Sequence, residues 1–215
     1  MSGVKPFSFD TIGDFDNHIS CSITGYEVLH SLIVNISSFF IKKGTIPVDL
    51  GCTSGKLVKA LQEKYGCKAI GFDITGANFL PGLDLRVQDI TLPGFEIPRT
   101  NLAYSIFTLQ FLDVRDRLPL LQRIFDALDK NGALICCEKE VAPNGIIQEV
   151  FTFSNYSNKL RQFTPEEILS KEFDLRKIMN CLEPSDNNKL LYDAGFRIVE
   201  PFFQSLNFKG YICIK

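Results

Sequence analysis

A short apolar strand followed directly by a glycine turn and a helix limits most strongly what this chain can fold into. Ile46 to Leu50 is predicted as a strand and Lys56 to Tyr65 as a helix, with the tight turn Gly51 to Gly55 between them. A second apolar strand, Cys67 to Phe72, follows the helix. Parallel strands need a crossover of this kind, so the segment is predicted to be a β–α–β unit.

The alternation of strands and helices continues along the chain. A helix is predicted from Asp113 to Leu128, and strands are predicted at Asp84 to Val87, Leu102 to Phe107 and, after a turn at Asn131-Gly132, Ala133 to Glu138. Apolar strands of this kind suit a parallel sheet that helices cover on both faces. The fold class is therefore predicted as α/β, with a Rossmann-like sheet.

Both ends of the chain extend this unit. An apolar stripe predicts a helix from Tyr26 to Lys42, and further helices are predicted over residues 145–162, 164–181 and 185–195. The last helix-rich segment starts at Thr164-Pro165-Glu166-Glu167, which has the residue spacing of a capped helix start. Two strands, Phe196 to Gln204 and Phe208 to Ile214, then form an antiparallel hairpin.

The domain organisation follows from what the sequence lacks. No linker-like composition and no repeat interrupts residues 1–215, which predicts a single domain. Within it, residues 1–44 are expected to form an N-terminal flap and helix. Residues 141–184 are expected to form a helical insertion that covers the site of the acceptor, the second substrate.

Composition excludes several classes of protein. A net charge of −2 argues against nucleic-acid binding through bulk charge, and no apolar run approaches the roughly 18 residues of a membrane span. The seven cysteines form no CxxC motif, and the two histidines are isolated, so we expect no metal site. Free thiols and the lack of an apolar leader in Met1 to Pro6 lead us to expect a cytoplasmic protein.

Candidate site residues follow four of the predicted strands. Ligands of open α/β sheets bind outside the carboxyl ends of the strands. Asp73 lies 22 residues after Gly51, and a carboxylate about 20 residues beyond a glycine turn can accept hydrogen bonds from two ribose hydroxyls. The strand-end residues are Asp49, Gly51, Cys52 and Gly55 after the first strand, Asp73 and Ile74 after the second, Asp89 and Ile90 after the third, and Phe107 after the fourth.

Structural roles stay open for each of these residues. The glycine turn can be a tight connection without a ligand, Asp73 can cap a helix, and Asp89 can be a solvated loop carboxylate. Phe107 can belong to the core, and Tyr26 can be an ordinary aromatic at a helix start.

The order of these features resembles the class I S-adenosylmethionine (SAM) methyltransferases from Val48 to Lys215, with a DLGCxxG turn and acidic ends on the second and third strands. A closer similarity is to the carboxy-SAM synthase family, whose proteins convert SAM and prephenate into carboxy-SAM for the modification of the tRNA wobble uridine. The matching runs are ISCSITGY from Ile19, FTLQFL from Phe107, GALICCEK from Gly132, DAGF from Asp193 and FQSLNF from Phe203.

The resemblance implies roles for the strand-end residues. Gly51, Cys52 and Gly55 would line the methionine moiety of SAM, and Asp73 would hold the ribose. Ile74 would pack on the adenine, and Asp89 and Ile90 would bound that base. Asp49 would be a further SAM-binding residue. Phe107 would form the pocket floor, and Tyr26 would close over the sulfonium. For the acceptor side, Glu138 at the end of the fifth strand is the candidate polar or basic contact, with a surface ion pair to Lys139 as its alternative.

Three positions depart from the carboxy-SAM synthase pattern. The arginine that grips the added carboxylate in that family falls on Glu172, a second arginine falls on Cys21, and an asparagine falls on Ile106. Arginine binds a carboxylate through two parallel hydrogen bonds, whereas a glutamate repels it. Arg176 and Lys177, one helical turn further on, are possible replacements.

These observations favour a SAM-dependent methyltransferase acting on an unidentified, small-molecule acceptor. A carboxy-SAM synthase, with carboxy-SAM as the bound cofactor, is the first alternative, and a non-catalytic partner subunit is the second. A tRNA methyltransferase would need a basic face, for which Lys159, Arg161, Lys171, Arg176 and Lys177 are the available residues. A homodimer is expected from the resemblance, tRNA is expected as an indirect partner at most, and no membrane association is expected.

Overall fold

The computed structural model describes residues 15–215, with side chains described from residue 16. The expected flap within residues 1–14 lies outside these described residues. The helices are α1 (Phe15–Ser22), α2 (Tyr26–Ser37), α3 (Lys56–Tyr65), α4 (Val114–Ala127), α5 (Gly145–Lys159), α6 (Pro165–Ile178) and α7 (Pro184–Asp193). The strands are β1 (Val48–Leu50), β2 (Ile70–Asp73), β3 (Asp84–Val87), β4 (Thr100–Ile106), β5 (Leu128–Lys139), β6 (Ile198–Ser205) and β7 (Phe208–Ile214).

One seven-stranded sheet with the order β3-β2-β1-β4-β5-β7-β6 organises the described residues. Strands β1 to β5 are parallel, with Val48 of β1 facing Ile70 of β2 on one side and Ala103 of β4 on the other. Strand β7 runs antiparallel to β5 and to β6, pairing Tyr211 with Cys136 of β5. This arrangement confirms the predicted Rossmann-like sheet and its C-terminal hairpin.

The sheet has a core on each face because neighbouring residues of a strand point to opposite sides. In β5, Leu134 and Cys136 join the core formed with α4 and α7, which includes Leu121 and Leu191. Ala133, Ile135 and Cys137 join the other core, against apolar residues of α2 and α3. The near-continuous apolar run of β5 is thus explained by helices on both faces.

Side-chain caps begin the helices that follow β4 and β5. Asp113 accepts a hydrogen bond from the Arg115 amide at 3.1 Å, and Asn144 accepts from the Ile146 and Ile147 amides. At the start of α6, the Thr164 hydroxyl accepts from the Glu167 amide while the Glu167 carboxylate accepts from the Thr164 amide. The capping box predicted from this sequence is confirmed.

The predicted end of α2 and the predicted start of β5 were both wrong by five residues. Helix α2 ends at Ser37 and turns continue to Phe40, so it is shorter than its apolar stripe. Strand β5 begins at Leu128 and passes through the predicted Asn131-Gly132 turn. Asn131 has a φ of 61°, and the pairing of β5 with β4 shifts register between Thr100 and Leu102, so the strand continues through this point. The crossover between β2 and β3 contains turns and no helix over residues 74–83.

All seven cysteines are unpaired. Within residues 15–215 there is no helix long and apolar enough to cross a membrane. The same residues contain no group of three or more His, Cys, Asp or Glu side chains that could hold a metal ion.

Candidate active site

A cavity of about 330 Å³ lies at the carboxyl ends of β1, β2 and β4 and brings most of the predicted site residues together. Helices α1, α2 and α6 supply further parts of its wall. The predicted residues that line it are Tyr26, Asp49, Gly51, Cys52, Asp73, Ile74, Asp89, Ile90 and Phe107. The position is the one that ligands of open α/β sheets occupy.

The glycine turn after β1 is held in one conformation by the neighbouring strands. Gly51 has a φ of +83°, and a Cβ atom there would lie 2.2 Å from the Thr108 hydroxyl oxygen. That hydroxyl donates to the Leu50 carbonyl at 2.9 Å, while the Gly51 and Cys52 amides donate to the Phe72 carbonyl at 2.8 and 3.0 Å. A side chain at position 51 would fit neither the backbone conformation nor the space.

Gly55 does not line the cavity, in contrast to the expectation that it surrounds the methionine moiety. It precedes α3 with a φ of +82°, and a Cβ atom there would lie 2.6 Å from a methyl group of Leu85. The glycine is therefore required for the close packing of the turn against β3.

Two carboxylates at the ends of β1 and β2 lie at the centre of this edge. Asp73 braces the turns on either side of it, accepting from the Thr53 amide at 2.9 Å and the Thr75 amide at 3.3 Å. Asp49 is 4% exposed, and its Oδ1 has no hydrogen-bond partner. Burial, together with the Asp73 carboxylate, raises the pKa of Asp49 to about 7. A buried oxygen without a partner in a cavity wall is suited to a cationic or hydrogen-bond-donating ligand.

The third strand end forms the rim of the cavity. Asp89 Oδ1 accepts from the amide and the hydroxyl of Thr91, at 2.9 and 2.7 Å, and these hydrogen bonds lower its pKa. Ile74 is 72% exposed, whereas Ile90 is buried in the core. An exposed isoleucine beside a fixed carboxylate offers one apolar and one polar surface to a flat heteroaromatic ring.

Phe107 and Tyr26 close the apolar middle of the cavity. Phe107 has a φ of 57° and packs edge-on against Phe208, with 5.7 Å between the ring centroids, so it belongs both to the core and to the cavity wall. Tyr26 begins α2, and its ring lies 5.3 Å from the Lys56 ammonium. Burial and the nearby Asp16 carboxylate raise the pKa of Tyr26, so its hydroxyl keeps its proton.

Helix α1 covers this part of the cavity. Its residues Asp16, His18, Ile19 and Ser22 line the wall, and Asp16 accepts a hydrogen bond from the Ser54 hydroxyl at 2.9 Å. This contact ties α1 to the glycine turn.

The opposite end of the cavity contains lysines that the sequence did not place there. Lys139, Lys159, Lys171 and Glu172 all line it. Glu172 is buried and pairs with Lys159 at 2.7 Å and with Lys139 at 3.8 Å, and the lysines lower its pKa. We refer to these four residues as the basic end. The sequence indicates Lys159 and Lys171 only as members of a basic face. The remaining members of that face, Arg161, Arg176 and Lys177, are exposed.

Glu138 does not contact the cavity, so its expected acceptor-side position was wrong. It is 2% exposed, and its carboxylate accepts from the Leu109 amide at 3.1 Å. Burial raises its pKa to about 8, although the nearby Arg117 acts in the opposite direction. Its alternative, a surface ion pair with Lys139, is wrong as well, because Lys139 pairs with Glu172. Glu138 instead positions the 3-10 turn Leu109–Phe111.

The other departures from the family pattern also have a place in the structure. The Cys21 thiol on α1 lies 2.8 Å from the Gln162 side-chain oxygen, and Ile106 lines the cavity. Arg176 and Lys177 do not line it, and Lys177 pairs with Asp174 at 2.9 Å. The basic residues that line the cavity next to Glu172 are therefore the lysines of the basic end.

Comparison with known proteins gives a consistent set of relatives. A protein from Wolinella succinogenes is 30% identical over 98% of this chain and 94% of its own length. One from Staphylococcus epidermidis is 26% identical over 97% and 95%. Both are named carboxy-S-adenosyl-L-methionine synthase. No protein-family model matches the chain.

Solved structures show the same fold. Human N-acetylserotonin methyltransferase in complex with SAM matches with a TM-score of 0.56 and 18% identity, over 87% of this chain and 55% of that one. A SAM-dependent methyltransferase from Methanosarcina mazei matches with a TM-score of 0.57 and 17% identity, over 83% and 95%. The sheet and its flanking helices are thus those of a methyltransferase fold.

Proposed function

The chain belongs to the carboxy-S-adenosyl-L-methionine synthase family, and from that premise we propose that it is an enzyme that binds SAM in this cavity and transfers the SAM methyl group to a small-molecule acceptor. The family name describes a different product, carboxy-SAM. The side chain at position 172 supports methyl transfer rather than carboxy-SAM synthesis.

Glu172 is the observation that carries the proposal. The resemblance puts at this position the arginine that grips the added carboxylate of carboxy-SAM. Here the residue is a buried carboxylate that already forms an ion pair with the Lys159 ammonium at 2.7 Å. A second carboxylate brought to the same place would be repelled. Unmodified SAM lacks the added carboxylate of carboxy-SAM and is not repelled in this way.

The residues at the strand ends fit SAM. The unpartnered Asp49 Oδ1 is suited to the positively charged part of the molecule, and the space beside Gly51 is closed to any side chain. We propose that Asp73 binds the ribose hydroxyls, that Ile74, Asp89 and Ile90 surround the adenine, and that Gly51 and Cys52 lie along the methionine moiety. Tyr26 and Phe107 would enclose the sulfonium.

When bound, SAM supplies an electrophilic methyl group. The acceptor nucleophile forms the new bond to this carbon while the sulfur–carbon bond breaks and its electron pair stays on the sulfur. The contribution of the protein is then alignment and exclusion of water. Ile19 on α1 and Ile23 just after it, together with Phe107 and Phe208, supply apolar parts of the cavity wall.

Carboxy-SAM synthesis is the second candidate function, and the basic end favours it. Three lysines line the cavity beside Glu172, and ammonium groups bind carboxylates as arginine does, with less geometric selectivity. The near full-length relatives named carboxy-SAM synthase support the same reaction, with prephenate as the other substrate by resemblance to the family.

Native mass spectrometry of the purified protein separates the two, followed by identification of the released small molecule. SAM or its demethylated product S-adenosylhomocysteine supports methyl transfer. A ligand heavier than SAM by one carboxyl group, or conversion of added SAM and prephenate into that compound, refutes it and establishes carboxy-SAM synthesis. A protein that retains neither and binds no added SAM has lost the enzymatic function, as expected of a partner subunit.

We also propose a homodimer that forms through α5 and α6 and works in the cytoplasm. The outer faces of these helices expose large apolar side chains, namely Ile146, Val150, Phe153, Leu169 and Phe173, and such a patch is typical of an interface. Light scattering during size-exclusion chromatography tests this. Phe173→Glu is expected to shift a dimer to a monomer, whereas Phe39→Glu at an exposed position after α2 leaves it unchanged. A wild-type monomer contradicts the proposal.

A further inference from the structure

Arg123 of α4 holds the loop that follows β3, residues 88–95. This loop contains turns and neither helix nor strand, so its backbone carbonyls need partners from elsewhere. The Arg123 guanidinium supplies them through both of its terminal nitrogens. Nη2 donates to the Ile90 carbonyl at 2.8 Å and approaches that of Thr91 at 3.5 Å, while Nη1 donates to the carbonyls of Leu92 and Phe95 at 2.7 and 3.2 Å.

The two ends of this connection are fixed in the core. On α4, the neighbours Leu121 and Ile124 are fully buried, so Arg123 extends from a well-packed helix. At the end of the loop, the buried Phe95 ring packs edge-on against Phe72 of β2, with 5.0 Å between the ring centroids. The Arg123 guanidinium lies 5.9 Å from the same Phe95 ring. The loop is therefore held from α4 and from β2 together.

The first part of the loop forms the rim of the cavity, where Asp89 and Ile90 line the wall. The hydrogen bonds that fix Asp89 come from the Thr91 amide and hydroxyl, and both reach Oδ1. The carbonyls of Ile90 and Thr91 are the two on the Nη2 side of the guanidinium. Arg123 thus fixes the turn that in turn fixes the carboxylate, and Oδ2 is the oxygen left for a ligand.

We propose that Arg123 is a positioning residue that makes the site selective for an adenine base. It holds Asp89 in the orientation in which the carboxylate accepts a hydrogen bond from the 6-amino group of the adenine. Arg123 does not line the cavity itself, so it acts through the backbone of the loop. This inference rests on the proposed function, which puts the adenine of SAM beside Asp89.

The test compares two ligands that differ only at position 6 of the base. S-adenosylhomocysteine carries an amino group there, and S-inosylhomocysteine carries a carbonyl. An ionised carboxylate only accepts hydrogen bonds, so Asp89 can bind the amino group but repels the carbonyl. Isothermal titration calorimetry of the wild type is expected to show at least about tenfold tighter binding of S-adenosylhomocysteine. We call this ratio of affinities the adenine selectivity.

Arg123→Met keeps an unbranched apolar stem but removes the guanidinium, and it is expected to lower the adenine selectivity about 3- to 10-fold. Arg123→Lys keeps the charge, but its single ammonium cannot reach both pairs of carbonyls, so an intermediate selectivity is expected. Arg99→Met is the control, because it removes an exposed guanidinium that pairs with Asp129 on the surface. Thermal unfolding establishes which variants are folded, and Arg123→Lys decides the question if Arg123→Met is not.

A double-mutant cycle separates positioning from a general structural role. Asp89→Ala removes the carboxylate and is expected to lower the adenine selectivity, and adding Arg123→Met should then lower it no further. A role in stability alone would weaken both ligands equally in the Arg123 variants.

Three results overturn the inference. They are equal affinity of the wild type for both ligands, unchanged adenine selectivity in the folded Arg123 variants, and independent, additive losses in the double variant. Each of them leaves binding of S-adenosylhomocysteine intact. A wild type that binds neither ligand refutes the proposed function, and this inference with it.

Discussion

The two ends of the cavity differ in charge and in the elements that build them. The strand-end side carries Asp49 within β1, Asp73 as the last residue of β2 and Asp89 on the loop that follows β3. The basic end takes its lysines from the last residue of β5 and from α5 and α6. One end suits a cationic, hydroxyl-rich cofactor, whereas the other contains three ammonium groups and one carboxylate. The carboxyl ends of the parallel strands build the first end, whereas Lys139 at the end of β5 and the helices that follow it build the second.

The largest effect is expected for Gly51→Ala. The substitution places a Cβ atom 2.2 Å from the Thr108 hydroxyl at a φ of +83°, which we expect to cost about 2–4 kcal/mol of unfolding free energy and to abolish S-adenosylhomocysteine binding. Urea unfolding and calorimetry measure the two effects. Gly66→Ala is the matched control, because Gly66 also has a positive φ but nothing lies within 4 Å of its added Cβ. Equal losses of unfolding free energy and of S-adenosylhomocysteine affinity in both variants would contradict a special role of the turn after β1.

Asp73→Asn is expected to lower cofactor affinity at the strand-end side. The substitution removes the charge that would bind the ribose hydroxyls and should weaken S-adenosylhomocysteine binding about 10- to 100-fold. Asp84→Asn in β3, whose carboxylate is paired with Arg86 on the surface, serves as the control. Unchanged affinity in Asp73→Asn would show that Asp73 only braces the turns through Thr53 and Thr75.

The pH dependence of SAM binding tests the strand-end side of the cavity through the ionisation of Asp49. Because the pKa of Asp49 is raised to about 7, the ligand-free protein holds a proton there at lower pH. SAM has a net positive charge and favours the ionised carboxylate, so its affinity is expected to rise with pH by up to about tenfold per unit below pH 7 and then to level off. Calorimetry across about 2.5 units of pH, from about pH 5.5 to about pH 8, measures the slope. The same slope in Asp49→Asn would assign it to another group.

The smallest effect concerns the helix that carries Lys171 and Glu172. Thr164→Ala removes the hydroxyl that accepts from the Glu167 amide at 3.2 Å and should lower the unfolding free energy by about 1 kcal/mol. Ser157→Ala, at an exposed position within α5, is expected to be neutral or slightly stabilising. Urea unfolding monitored by circular dichroism compares them. A loss in Ser157→Ala as large as in Thr164→Ala would rule out a specific effect of the cap.

The strand-end carboxylates could be found from the sequence, because parallel strands bring their carboxyl ends to one edge whatever the helices do. Side chains alternate between the two faces of a strand, and this alternation could have predicted the faces of β5 on which two further residues, Glu138 and Lys139, lie. Glu138 shares a face of β5 with Leu134 and Cys136, which pack toward α4, and this explains why it is buried beside Arg117. Lys139 lies on the other face, where its ammonium is 5.9 Å from the Phe208 ring.

The remaining basic residues could not be placed in this way. Lys159 and Lys171 lie on different helices, and their approach to the cavity depends on how α5 and α6 pack over the sheet. Both helices also have large apolar residues on their exposed sides, including Phe153 and Phe173, so hydrophobic periodicity does not identify the face that turns inward. The pairing of Lys159 with Glu172 is a tertiary contact without a local sequence signal.

A crystal structure of the protein with S-adenosylhomocysteine tests most directly that the strand-end side is the cofactor site. The account predicts that the ribose hydroxyls lie within about 3.2 Å of the Asp73 carboxylate. The nucleoside away from Asp73, or at the basic end, would contradict it.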